Sequence, residues 1–201
     1  MSKMEKTTIF VFSGPGGVGK TTLVEKLFKK KWAKEKLVRA VSATTRSLRP
    51  GEKDGKDYLF ISRPEFLRRK REKYFLESEQ VLEHFYGTPR FFYDEAVKTK
   101  KSLILCIDVK GGMYLKKHPG GSKITTIFIS APRKEDLLAR LEKRNEDKAV
   151  IKQRIALAKQ ELKFAKTYDY RVVNHKLDAA LEEVEAIIRK EAIQKIEEEH
   201  R

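Results

Sequence analysis

The chain has 201 residues, 40% of them hydrophobic and 37% charged, enough for one α/β domain with insertions around a sizeable core and implying no second core. A single cysteine, Cys106, excludes an intramolecular disulfide framework, and the lack of any long apolar run, at the N-terminus or elsewhere, points to a soluble cytoplasmic protein with no membrane partner. The formal charge of +16 raises nucleic acid as a partner, but the runs Lys29–Lys31, Arg68–Arg71 and Lys98–Lys101 are mixed with glutamates in helical patterns, as on a solvated face, so no specific nucleic acid is expected.

The first predicted element is an apolar strand from Thr7 to Ser13. It runs into Gly14-Pro15-Gly16-Gly17-Val18-Gly19-Lys20-Thr21-Thr22, which fits G-x-x-x-x-G-K-[ST], and a helical pattern carrying Leu23, Val24, Leu27 and Phe28 follows. This strand–loop–helix context separates a phosphate-binding loop from a glycine-rich turn that binds nothing. The glycines let successive backbone N–H groups face one centre, and the following helix presents its positive end there. Lys20 adds a point charge, and Thr21 a hydroxyl for Mg²⁺. Further strands are expected at Leu37–Val41, Leu103–Ile107, Thr126–Ser130 and Arg171–Val173, with helix-length segments between them, which predicts a mostly parallel sheet covered by helices on both faces. From Ser42 to about Thr99 the chain turns charged and aromatic, with short strand candidates at Tyr58–Ile61 and Tyr74–Leu76. A charged segment from Arg133 to Lys159 comes next, and the last predicted element is an amphipathic helix carrying Leu177, Leu181, Val184, Ile188 and Ile196.

The second strand leads into Ser42-Ala43-Thr44-Thr45-Arg46-Ser47-Leu48-Arg49-Pro50-Gly51-Glu52 and then Gly55-Lys56-Asp57-Tyr58-Leu59-Phe60. With the P-loop ahead of them, these stretches resemble guanylate kinase, a P-loop nucleoside monophosphate kinase family with the patterns S-x-T-T-R-x-x-R-x-G-E and G-x-D-Y-x-F. The similarity continues through Glu77 and Tyr86-Gly87-Thr88, through Ile107-Asp108-Val109-Lys110-Gly111-Gly112 against the family's I-D-x-Q-G, and through Arg140-Leu141-Glu142-Lys143-Arg144. Arg154, Glu161 and Tyr168-Asp169-Tyr170-Arg171-Val172-Val173-Asn174 complete a series spread over nearly the whole chain.

The resemblance implies a P-loop NTPase-type core (residues 1–41, 100–132 and 160–201), an inserted monophosphate-binding region (42–99) and a helical lid (133–159), all within one domain. It implies transfer of the γ-phosphoryl group of ATP to GMP or dGMP, giving ADP and GDP, with Mg²⁺ as cofactor and a monomer or homodimer as the working unit. Gly14, Pro15, Gly16, Gly17, Val18, Gly19, Lys20, Thr21, Thr22 and Asn174 would bind ATP. Ser42, Arg46, Arg49, Tyr58, Glu77, Tyr86, Thr88 and Asp108 would bind GMP. Lys20, Arg46, Arg140, Arg144 and Arg154 would carry catalysis, and Thr21 and Asp108 would hold Mg²⁺ through water.

The chemistry agrees with these residue types. A phosphate monoester is largely dianionic at neutral pH, so it needs no general base; it needs cations that offset its repulsion from a triphosphate. Guanine presents N1–H and N2–H₂ as adjacent donors, which a fixed carboxylate accepts, whereas adenine has an unprotonated N1 there. Glu77 is the expected carboxylate and Glu79 its neighbouring competitor. Three positions depart from the family's pattern: Cys106 where an acidic residue is common, Lys110 for the usual Gln, and a shortened Asn145-Glu146-Asp147 segment. Two other classes compete with the kinase. One is a related interaction module that has lost catalysis, against which Lys20 and Thr21 stand in register; the other is a nucleic-acid-binding protein, for which no recognised motif is present.

Overall fold

The computed structural model describes residues 7–143 and 147–199, with side chains described through residue 192. Arg144, Asn145 and Glu146 lie outside the described residues, as does the side chain of Ile196. The chain opens with β1 (Thr8–Ser13), α1 (Lys20–Leu27), α2 (Lys31–Lys36) and β2 (Leu37–Arg39). The middle holds β3 (Ala43–Thr44), β4 (Leu59–Phe60), α3 (Arg63–Arg71), β5 (Phe75–Val81), β6 (His84–Pro89) and α4 (Phe91–Lys98). Then follow β7 (Ser102–Cys106), α5 (Val109–Lys117), β8 (Lys123–Ser130), α6 (Lys134–Glu142), α7 (Lys148–Leu162), β9 (Tyr170–Val173) and α8 (Leu177–Glu199).

Five strands form a wholly parallel sheet in the order β2-β7-β1-β8-β9. Its central strand, β1, is buried along its whole length, which is why its sequence is a continuous apolar run rather than an alternation. Side chains still alternate between faces. Phe10 and Phe12 join Leu23, Leu27, Ile127, Ile129, Leu181, Val184 and Ile188 on one side, and Ile9 and Val11 join Ala96, Leu103, Leu105 and Leu115 on the other. All five strands therefore end at the same edge, where the loops that follow β1, β2 and β7 converge.

The second sheet has the order β4-β3-β6-β5, with one parallel pair and two antiparallel ones. Sequence patterning missed β3 and β6, because a two-residue strand has no period and His84–Pro89 shows no apolar alternation. This sheet has its own small core, in which Phe66 from α3 stacks on Phe75 and Phe85 with centroids 4.5 and 5.4 Å away. Helix α3 starts where Ser62 accepts a hydrogen bond from Glu65 N, with Pro64 in its first turn. Among the described residues no helix is long and apolar enough to cross a membrane.

Candidate active site

The phosphate-binding loop spans the gap between β1 and α1. Gly14 (φ +134°) lies so close to the carbonyl of Ile129 on β8 that a Cβ has no room, and Gly19 (φ +95°) immediately precedes α1. Lys20 Nζ donates to the carbonyl oxygens of Gly14 (2.5 Å) and Pro15 (3.1 Å), holding the ammonium across the loop. The Val18 carbonyl accepts from Asn174 Nδ2 (2.8 Å) and Arg140 Nη1 (3.3 Å), and Arg140 Nη2 donates to the Asn174 carbonyl (2.8 Å). Arg140 and Asn174 thus tie the loop to the end of β9 from behind, rather than lining its mouth.

Opposite the loop, the turn after β3 carries Arg46, only 7% exposed. Its guanidinium donates to Glu52 Oε2 (2.6 Å), Glu52 Oε1 (2.5 Å) and the Ser47 carbonyl (2.7 Å), and lies over the rings of Tyr58 and Phe60. Those bonds use three of the five guanidinium N–H donors, so Nε–H and the second Nη2–H remain for a ligand. Burial opposes its charge, but the Glu52 hydrogen bonds and charge outweigh that and raise the Arg46 pKa. Glu52 Oε2 also accepts from Arg49 N (2.9 Å), so one carboxylate organises both arginines of the turn. Tyr58 and Tyr86 meet edge to face beside them, and burial pushes the Tyr58 hydroxyl up to about 12, leaving it a neutral donor.

Glu77 on β5 faces Thr88 on β6 in register, and both are buried. Its Oε1 accepts from Thr88 N (3.0 Å) and Thr88 Oγ1 (2.6 Å), and Thr88 Oγ1 lies 3.4 Å from Ser42 Oγ. Burial drives the Glu77 carboxyl up to about 7; the Thr88 bonds pull it down and the charges of Asp108 and Glu79 add to the rise. Its Oε2 sits 2.7 Å from where a Cβ on Gly111 would be, so the absence of a side chain at 111 sets the carboxylate's position. Glu79 pairs with Tyr86 along the strand and is not among the cleft-lining residues.

At the end of β7, burial raises the Cys106 thiol to about 11 despite Lys20 and Arg39, so it stays neutral. Asp108 caps α5, its Oδ1 accepting from Lys110 N (2.7 Å) and Gly111 N (3.1 Å). From the other side α7 brings Arg154, whose Nη1 lies 3.0 Å from a Cβ position on Gly16, and Glu161.

One cleft gathers these groups. It is lined by Gly14, Gly16, Gly17, Gly19, Lys20, Thr21 and Thr22 from the loop, by Ser42, Arg46, Arg49, Tyr58, Glu77 and Tyr86 from the second sheet, and by Cys106, Asp108, Arg154 and Glu161. The hard oxygens of Thr21 and Asp108 suit Mg²⁺, and among the described residues no group of three or more His, Cys, Asp or Glu is arranged to hold a metal alone. That fits a cation held mainly by nucleotide and water.

Residues 6–191 match the family model for guanylate kinase. The guanylate kinase of Wolbachia pipientis wMel is 38% identical over 98% of this chain and 97% of its own, and that of Thermotoga maritima is 41% identical over 92% and 88%. The crystal structure of guanylate kinase from Anaplasma phagocytophilum superposes with a TM-score of 0.71 at 31% identity, covering 93% of this chain and 87% of the other. The chain belongs to the guanylate kinase family.

Of the guanylate kinase positions expected from sequence, Pro15, Val18, Thr88, Arg140 and Asn174 stand behind the cleft lining, and Arg144 lies outside the described residues. Sequence reasoning gave no role to three residues that shape the site: Glu52, Gly111 and Glu161. Glu52 and Gly111 sit inside motifs that were read for other members, and Glu161 is two helical turns beyond Arg154, a spacing that puts both on one face.

Proposed function

We propose that this guanylate kinase transfers the γ-phosphoryl group of ATP to GMP or dGMP, releasing ADP and GDP. The observation that carries this reading is the single cleft lined at once by the P-loop and by Arg46, Arg49, Tyr58, Tyr86 and Glu77. The loop N–H groups and the start of α1 hold the donor's phosphates, while Arg46, Arg49 and the two tyrosine hydroxyls hold the acceptor's phosphate. Glu77 takes the guanine N1–H and N2–H₂, with Thr88 fixing the carboxylate from behind and Ser42, beside Thr88, presenting its hydroxyl to the cleft. The acceptor dianion attacks in line, so the protein's part is placement and charge: Lys20 follows charge onto the transferring group, and Arg154 covers the loop from α7. Thr21 and Asp108 are the residues that hold Mg²⁺, which when bound neutralises the donor's phosphate oxygens. Arg140 and Asn174 keep the Val18 segment of the loop in shape for this.

The test is a coupled assay of ADP formation with GMP, dGMP, AMP, CMP and UMP as acceptors. GMP and dGMP should turn over and the others should not. Absence of ADP formation with every acceptor would favour a non-catalytic interaction module built on the same fold.

A further inference from the structure

Glu161 poses a chemical question that the kinase reading leaves open. It stands one residue from the C-terminal end of α7, is 9% exposed and lines the cleft. Its Oε2 is buried without a hydrogen-bond partner among the described residues. The charged groups that face it are Lys20, Asp108 and Arg154, from three different elements. A buried carboxylate oxygen without a hydrogen bond costs free energy that the charges of Lys20 and Arg154 offset only in part, so that burial still raises the Glu161 pKa, and such groups mark places where a ligand or water completes the bonding. A glutamine or leucine would serve packing better.

The donor's phosphates do not complete it directly, because a carboxylate beside a polyphosphate is repelled. A donor group placed between the two removes the conflict. A hydrated divalent cation supplies one, since Mg²⁺ keeps several waters whose hydrogens point outward toward fixed acceptors. Asp108 offers a second acceptor on the same cleft, as its Oδ1 is committed to the α5 cap and Oδ2 is not.

We propose that Glu161 is a positioning residue for the donor nucleotide's hydrated cation, its carboxylate accepting a hydrogen bond from a water of the cation's shell while Asp108 Oδ2 accepts from another. The inference rests on the phosphotransfer reading above. It also gives α7 two opposite tasks at one site: Arg154 meets phosphate, and Glu161, two turns on, meets the metal's water.

The test is ADP binding by calorimetry, with and without Mg²⁺, in wild type, Glu161→Gln and Glu161→Ala, together with Mn²⁺ titration of the protein–ADP complex by electron paramagnetic resonance. GMP affinity within about twofold of wild type, measured in the same preparations, reports an intact fold. Without a divalent cation both variants should bind ADP as well as wild type or better, because a negative charge has gone. With Mg²⁺ the gain seen in wild type should shrink, and the Mn²⁺ dissociation constant should rise at least about tenfold, the usual effect of losing an outer-shell partner. Equal Mg²⁺-dependent gain in wild type and both variants would overturn the proposal while leaving the kinase reading standing. A wild type that binds no ADP under either condition would overturn both.

Discussion

Lys20 bridges the Gly14 and Pro15 carbonyls, so its ammonium is already placed over the loop that receives the donor's phosphates. An interaction that strengthens as charge moves onto the transferring group acts on kcat more than on binding. Lys20→Ala should therefore lower kcat by at least about a hundredfold with a smaller change in ATP affinity, as steady-state kinetics would read. Glu77 gives a pH signature. Its folded pKa of about 7 lies above the ordinary 4.5, so the folded state holds the proton more tightly than the unfolded chain. Its contribution to stability is full below pH 4.5 and is lost as pH rises toward 7. Glu77→Gln should then raise Tm relative to wild type above pH 7 and lose that advantage at low pH. Binding has the opposite slope, because guanine needs the ionised carboxylate. GMP affinity of wild type should fall as pH drops below about 7, and Glu77→Gln should flatten that profile; calorimetry at several pH values reads both.

Strand β5 and the start of α5 act as one unit around the base site, since Gly111 in the first turn of α5 leaves the room that Glu77 Oε2 occupies. Gly111→Ala should displace the carboxylate and raise KM for GMP at least about tenfold with little effect on KM for ATP. A parallel rise in both constants would point to general damage to the fold instead. The elements differ in how well the sequence revealed them, for physical reasons. The inner strands of the parallel sheet are buried on both faces, so their apolar runs stand out, as in Thr8–Ser13 and Ser102–Cys106, whereas only Val172 of edge strand β9 is buried. The second sheet is short, half-exposed and mixed, and neither Ala43–Thr44 nor His84–Pro89 carries a period. Motif residues were legible because backbone geometry demands them. Glu52 and Glu161 were not, because their importance comes from what the fold brings near them: Arg46 and Arg49 N for Glu52, and Lys20, Asp108 and Arg154 for Glu161. Arg140 was read by its place in a motif, and the fold turns it to the back of the loop, where it bonds the Val18 and Asn174 carbonyls.

Across the whole molecule the +16 charge has two components. Each helix from α1 to α7 has a basic residue in its last turn, where cations offset the negative end of the helix dipole, so much of the excess is local compensation on solvated faces. A second, smaller group lies in the cleft, where Lys20, Arg46, Arg49 and Arg154 face two anionic substrates. Raising ionic strength should accordingly raise KM for both nucleotides while leaving kcat nearly unchanged, since screening weakens attraction into the cleft more than contacts within the closed complex. The central claim is that this cleft selects a guanine monophosphate through Glu77 and phosphorylates it. The measurement that tests it most directly is kcat/KM for GMP and for AMP in wild type and Glu77→Gln. Wild type should prefer GMP by roughly 30- to 1000-fold, because adenine would leave the buried carboxylate facing a lone pair, and the variant should lose most of that preference. A wild type that phosphorylates AMP as well as GMP, or a Glu77→Gln enzyme of undiminished selectivity, would contradict it.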